Sequence, residues 1–155
     1  MTRPVNAAGV SLIKEFEAKR LRAYLCQAGV PSIAWGHTRT VSARDVKSGK
    51  TITEAEAERL LREDLTEAAR SVERRVTVAL NDNQFAALVS FVFNVGALAF
   101  GGSTLLKRIN AGKFADVRAQ LARWNKIRLD DGSYEVSAGL TRRRAAEADL
   151  FERAA

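Results

Sequence analysis

The sequence predicts a mainly helical α+β fold with a small antiparallel sheet near its N-terminus. Strands are expected in the first 45 positions alone, helical periodicity dominates the rest, and one capped helical run is long enough to join two lobes. The 155 residues, 46% hydrophobic and 28% charged, fit one compact unit or two small lobes sharing a core, which excludes disorder and collagen-like or mini-protein scaffolds.

The elements follow in order. Asn6 is a helix-capping residue, and Val10, Ile13 and Phe16 recur behind it at helical spacing, so a first helix is expected from about residue 7 to about residue 17. From Leu21 to Val41 the period changes. Tyr24, Ile33 and Trp35 are strand formers, with Gly29, Pro31 and Gly36 as turn residues, which predicts a small antiparallel sheet. Thr53-Glu-Ala-Glu56 has the spacing of a capping box and opens a pattern that continues through Leu60, Leu61, Leu65 and Ala68 to about Arg75. At about 1.5 Å per residue such a helix spans roughly 33 Å, the length of a connector. Asn81 with Gln84 repeats the cap signature before an apolar helix from Phe85 to Val95, which Gly96 ends. Shorter helices are expected at Thr104 to Asn110 and Ala115 to Ala122, an irregular surface loop from Lys126 to Ser137, and a last helix from about Ala138 to Phe151.

Charge and cysteine usage narrow the function classes. Twenty-five Lys and Arg against 18 Asp and Glu give a net charge of +7, pointing to an anionic partner such as nucleic acid, acidic lipid or a polyanionic cell wall. No aromatic-interleaved basic run or nucleic-acid-binding signature accompanies the charge, so nucleic acid is not expected as a partner. Cys26 is the one cysteine, which excludes an internal disulfide, and with His37 as the one histidine it forms no zinc-type ligand set. Neither a metal nor another cofactor is expected. The N-terminal residues lack the apolar run of a signal peptide before Lys14 and Glu15, and the stretch Phe85 to Phe100 is too short and too interrupted to cross a bilayer. No leftover amphipathic helix demands a partner, so a monomer is expected.

The most chemically unusual segment runs from Glu17 to Thr38: a glutamate closing an amphipathic helix, then a hairpin bearing Cys26, Ser32, Trp35 and His37. Taken alone, these residues also suit a structural role: a solvated helix-end charge, a small strand residue, a turn serine and a core histidine. Their order carries more. The run Leu12-Ile-Lys-Glu-Phe-Glu-Ala-Lys-Arg-Leu-Arg-Ala-Tyr-Leu-Cys-Gln-Ala-Gly-Val-Pro-Ser-Ile-Ala-Trp-Gly-His-Thr38 resembles the signature of the phage-type lysozymes, glycoside hydrolase family 24, in which a glutamate, an aspartate or less often a cysteine, and a threonine recur in sequence. Here those positions hold Glu17, Cys26 and Ser32. The segments Ser90-Phe-Val-Phe-Asn-Val-Gly96, Ser103-Thr-Leu-Leu106, Trp124-Asn125 and Gly139-Leu-Thr-Arg-Arg-Arg-Ala-Ala-Glu147 resemble family blocks in family order, so the likeness covers nearly the whole chain.

The resemblance implies a lysozyme-like two-lobed fold: a sheet lobe over about 18–52, a connecting helix over about 53–75, and a helical lobe over about 76–155 packed with the N-terminal helix. It also implies hydrolysis of the β-1,4 bond between N-acetylmuramic acid and N-acetylglucosamine in peptidoglycan, with inversion. A glycosidic oxygen is a poor leaving group, so a carboxylic acid must protonate it while a group on the opposite ring face directs water. Glu17 would be the acid, and Cys26 with Ser32 would position the water. Cys26 departs from the commoner aspartate, and Ser32 keeps the threonine hydroxyl without its methyl. The resemblance further implies that Phe93, Asn94, Trp124 and Arg142 line the substrate cleft, with Arg142 across from Glu17, and that His37 pairs with Asp64 on the connecting helix. An enzyme of this kind, made in the cytoplasm, would need a separate holin-type pore to reach the wall and lyse the host. The alternative is a degenerate muramidase-like domain that binds peptidoglycan or a protein partner without cleaving.

Overall fold

In the computed structural model, which describes residues 1–154, helix α1 (Ala7–Phe16) opens at Asn6, whose side chain accepts from the Gly9 N–H. The helix stops at Glu17, which turns extended while its N–H still donates to the Ile13 carbonyl. Strands β1 (Arg20–Leu25) and β2 (Pro31–Ala34) form the antiparallel sheet, with Tyr24 opposite Ser32 and an irregular register between Arg20 and Tyr24. Directly after β2 the chain reverses tightly: Ile33 and His37 exchange both backbone hydrogen bonds, with Ala34 (φ 56°) and Gly36 (φ 75°) in the left-handed region. That conformation suits Gly36 and strains the fully buried Ala34.

Helix α2 (Ala43–Ser48) is absent from the sequence-based reading. It has a reciprocal Ser42–Asp45 capping box and a left-handed Gly49 stop, but it buries no side chain, so no apolar period announces it. Helix α3 (Glu54–Arg75) occupies the expected span. Thr53 caps the Glu56 N–H, yet the Glu56 carboxylate turns to Arg59 instead of back to Thr53, so only half of the expected box forms. Ala57, Leu60, Leu61, Leu65, Ala68, Ala69 and Val72 make its buried face.

Helix α4 (Asp82–Val95) is the axis of the helical lobe. Its Asn81–Gln84 capping box is complete, Phe85 through Val92 are all buried, and it packs against α1, α3 and α8. Its crossing with α1 is close enough that a Cβ on Gly9 would lie 2.7 Å from the Ala86 Cβ. After Gly96 come α5 (Ala97–Gly101), α6 (Thr104–Asn110), a 3-10 turn (Phe114–Asp116) and α7 (Val117–Ala122); the 3-10 turn replaces the start of the helix expected from Ala115.

The expected loop from Lys126 to Ser137 is instead a second antiparallel hairpin. Strands β3 (Lys126–Arg128) and β4 (Tyr134–Val136) pair in register around a turn in which Asp131 accepts from the Ser133 N–H and Gly132 takes φ 86°. Strands are therefore not confined to the first 45 residues. All six strand residues of this hairpin are exposed, so the buried-face alternation that identifies a strand is missing. Helix α8 (Ala138–Glu152), capped by Ser137, closes the chain and lays Arg143, Arg144 and Glu147 against the core.

The result is a two-lobed fold, with β1, β2 and α2 in the small lobe and α1 and α4–α8 in the large one. Helix α3 touches β2, α4 and α5, so the long helix joins the two. One contiguous core runs from Ile33, Ala34 and Trp35 through α3 to α4 and α8. Among the described residues no helix is long and apolar enough to cross a membrane.

Candidate active site

Glu17 stands where α1 ends and the chain enters the sheet, so its position is set by the packing of α1 on α4. Its Oε1 accepts from Nη1 of Arg143 at 2.7 Å, across 126 residues of sequence. Its Oε2 lies beside Gly36, where a Cβ would be 3.6 Å from it. The guanidinium is buried and the carboxylate partly exposed. Sequence reasoning placed Arg142 opposite the glutamate. The structure corrects this by one residue: Arg143 points inward, while Arg142 is exposed and lines the open cleft. A helix turns about 100° per residue, so adjacent arginines face different surroundings.

Arg143 belongs to a buried polar cluster. Glu147, fully buried in α8, accepts from the Ser90 hydroxyl at 2.6 Å and from Nε of Arg143 at 3.4 Å, and it pairs with Arg144. Arg143 Nη2 donates to the Ser90 carbonyl at 3.2 Å. Arg144 donates to the Trp124 carbonyl at 2.9 Å and to Oδ1 of Asn94, and its guanidinium lies over the Phe91 ring at 4.9 Å. Two carboxylates and two guanidinium groups balance in charge, as burial requires. Burial pushes the Glu147 carboxyl above the ordinary glutamate value, opposed by Arg144, the Ser90 hydroxyl and Arg143. Burial also lowers the Arg144 guanidinium, against the attraction of Glu147.

The β1–β2 hairpin contributes Gln27 to the cavity that Glu17 lines, while Cys26 and Ser32 are in the lining of neither that cavity nor the one beside Gly36. Cys26 is half-buried at the hairpin turn, where its N–H donates to the Val30 carbonyl at 3.0 Å. Hydrogen bonds from the backbone of Val30 and Ala28 lower its thiol below an ordinary cysteine, and the Ser32 hydroxyl adds to this. Ser32 is only 2% exposed, and its hydroxyl donates to the Val30 carbonyl at 3.0 Å. The Val30 carbonyl and the Cys26 sulfur thus compete for its one proton, and its lone pairs remain for a donor. Tyr24 lies opposite Ser32; burial raises its phenol, Arg20 opposes, and the negative charge of Glu17 and Cys26 adds to the rise. Tyr24 therefore senses both expected catalytic groups, a placement its role as a strand former did not disclose.

Glu17 and Gly36 each line a cavity. One, of about 670 Å³, is lined by Glu17, Gln27, Asn94, Ile127, Arg142 and Arg143. The other, of about 360 Å³, is lined by Gly36, Thr38, Arg39, Asp64, Arg74 and Phe93. Phe93 and Asn94 thus face different cavities, while Glu17 in the first lies beside Gly36 in the second. Trp124 lines neither: its ring packs edge-on against Phe91 at 5.4 Å, on the margin of the core. His37, 1% exposed, pairs its Nδ1 with Asp64 Oδ2 at 2.8 Å and its Nε2 with the Thr40 hydroxyl at 2.7 Å, which ties the sheet lobe to α3. Among the described residues no group of three or more His, Cys, Asp or Glu is arranged to hold a metal ion.

Arg143, Arg144, Glu147 and Ser90 were missed as site residues, although a signal existed. Positions 143, 144 and 147 fall on the same inward stripe as Ala148, Leu150 and Phe151, so charges occupy places where the helical period calls for apolar side chains.

The phage lysozyme family model matches residues 14–147. An endolysin of Acyrthosiphon pisum secondary endosymbiont phage 1 is 39% identical over 150 residues, 97% of this chain and 99% of the relative. The muramidase domain of SpmX from Asticaccaulis excentricus superposes with a TM-score of 0.88 at 38% identity, covering 98% of this chain and 99% of that one. The endolysin from Escherichia coli O157:H7 phage FAHEc1 gives 0.86 at 35% identity, over 97% and 94%.

Proposed function

This chain belongs to the phage lysozyme family of peptidoglycan-cleaving glycoside hydrolases, and on that premise we propose that it hydrolyses the β-1,4 bond between N-acetylmuramic acid and N-acetylglucosamine with Glu17 as general acid. The observation that carries the assignment is the divided environment of the Glu17 carboxyl. Oε1 accepts from the buried Arg143, while Oε2 lies beside Gly36, so that Glu17 lines one cavity and its neighbour Gly36 the other. A proton carried on Oε2 leaves the Arg143 contact intact, because the Oε1 of a neutral carboxyl still accepts. Arg143 thus orients the carboxyl through one oxygen and leaves the other to carry the transferable proton. Glu17 passes that proton to the glycosidic oxygen as the bond breaks.

Water enters from the hairpin side. Cys26, whose thiolate the Val30 and Ala28 amides favour, takes a proton from the water, and the Ser32 lone pairs accept its second hydrogen. Attack on the face opposite the acid inverts the anomeric centre. The thiol and the glutamate then exchange protons with solvent. Phe93 offers an apolar face, Asn94 an amide and Arg142 a cation to the sugar chain and its anionic substituents. The net charge of +7 attracts the protein to an anionic wall. In this reading the enzyme is made in the cytoplasm, acts as a monomer and reaches the wall through a separate membrane pore, which completes host lysis.

A second reading has its own support in Ser32, whose hydroxyl is buried and hydrogen-bonded to the Val30 carbonyl. It holds that the domain binds peptidoglycan without cleaving. One experiment separates the two: turbidity loss of outer-membrane-permeabilised Gram-negative cells, wild type beside Glu17→Gln. Clearing by the wild type alone supports hydrolysis by Glu17, and clearing by both refutes that role. No clearing by either, with retained binding to purified sacculi, establishes the binding domain.

A further inference from the structure

Glu147 lies at the centre of the buried cluster and lines neither cavity. It is 0% exposed, yet both of its oxygens are engaged: Oε2 by the Ser90 hydroxyl and Arg143 Nε, Oε1 by Arg144. A buried carboxylate with two guanidinium partners is a poor way to gain stability, since apolar groups of similar volume often do as well or better. What the arrangement does fix is geometry. Each arginine that Glu147 holds reaches outward to one residue of the large cavity: Arg143 to Oε1 of Glu17, and Arg144 to Oδ1 of Asn94.

The second arm determines a polarity. Arginine carries donors only, so the Asn94 atom facing Arg144 is the carbonyl oxygen. Asn94 is exposed and lines the cavity, and with its oxygen held by Arg144 its amide nitrogen is the group left to donate there. It suits an oxygen acceptor on the sugar chain, such as an acetamido carbonyl or a hydroxyl.

We propose that Glu147 is a positioning residue for both ends of the site, holding the Glu17 carboxyl in line through Arg143 and the Asn94 amide donor-outward through Arg144. The proposal rests on Glu17 being the acid and Asn94 a substrate contact. Ser90 serves the same cluster from α4, donating to Glu147 while its carbonyl accepts from Arg143.

The test combines a spectroscopic and a kinetic readout on the full chain. In ¹⁵N NMR spectra, Nε–H signals of Arg143 and Arg144 and the Asn94 side-chain amide pair are expected to be resolved and slow to exchange in the wild type, and to shift and exchange faster in Glu147→Gln. With soluble, uncrosslinked peptidoglycan strands, Glu147→Gln is expected to lower kcat by about 10²-fold, the scale of a misplaced catalytic group, with a smaller rise in KM. Ser90→Ala shifts both in the same direction by less, and carries the test should Glu147→Gln not fold. Glu147→Asp, which restores the charge, recovers part of kcat. Leu150→Ala, equally buried in the same helix and outside the cluster, lowers thermal stability while folded molecules keep their kcat.

A kcat for Glu147→Gln within about twofold of wild type, or a loss no greater than that of Leu150→Ala at equal folded fraction, overturns the proposal. A wild type that cleaves nothing, with the NMR shifts present, removes the hydrolytic reading and with it the role of Glu147 in catalysis, leaving its geometric hold on Arg143 and Arg144. Cleavage by the wild type with no shift in Glu147→Gln does the opposite.

Discussion

Replacing Gly9 by alanine sets two effects of opposite sign against each other. In an exposed helix the change would stabilise, because alanine is favoured over glycine by about 1 kcal/mol. Here a Cβ would meet the Ala86 Cβ and the Val5 Cγ1 at 2.7 Å each, with the Ala86 Cα at 3.4 Å. Carbon atoms settle about 3.5–4.0 Å apart, so each close contact is short by roughly 1 Å. Val5 precedes α1 and can rotate its methyl away. Ala86 cannot, since its Cβ is fixed to the fully buried face of α4 and has no torsion to yield. The strain must therefore move α1, and inserting one methyl into such a contact costs about 1–3 kcal/mol. Subtracting the propensity gain leaves a net loss of about 1 kcal/mol, or about 2–4 °C in Tm for a chain of this size. Urea and thermal unfolding of Gly9→Ala measure it. The same shift carries Glu17, at the end of α1, away from Arg143 and from the Ser90 and Asn94 held by α4, so lytic rate should fall by more than the folded fraction. A Tm above wild type would refute the reasoning, because it would mean that helix propensity outweighs the contact.

Three further outcomes follow from the site. If position 26 organises the attacking water, Cys26→Asp preserves or raises lysis and Cys26→Ala lowers it, as clearing rates of permeabilised cells would show; equal rates would make the side chain dispensable. The Cys26 thiol should ionise at lower pH in the folded protein than in urea, because the Val30 and Ala28 amides stabilise the thiolate. Its contribution to stability is accordingly full above the unfolded value and is lost as pH falls through the folded one; the pH dependence of iodoacetamide alkylation reads both, and coincident curves would contradict the assignment. Asn94→Asp removes the donor from the cleft while keeping an acceptor for Arg144, so KM on soluble peptidoglycan strands should rise about tenfold, as expected for one hydrogen bond of about 1.4 kcal/mol, with kcat little changed.

The parts of this molecule that were legible in the sequence are those where local chemistry and burial agree. Helices α3 and α4 announce themselves because a capping residue precedes an apolar stripe that is buried along its length. Helix α2 and the β3–β4 hairpin do not, because their caps and turns are local while none of their side chains is fully buried. In hindsight the Asp131-Gly132 turn is the one readable sign of the hairpin. The same distinction governs the site. Glu17, Cys26, Ser32 and the His37–Asp64 pair could be picked out because a family order marks their positions. Which arginine faces Glu17 could not, because three consecutive arginines on α8 differ only in the direction each leaves the helix. That direction is set by the packing of α8 on α4. Packing also decides why Arg143 can be buried at all: Glu147, one turn on, and Ser90, from another helix, supply the acceptors that a guanidinium removed from water must have. A family resemblance can propose Glu17 as the acid, but the Arg143 clamp on its carboxyl exists only once three helices, distant in sequence, are brought together.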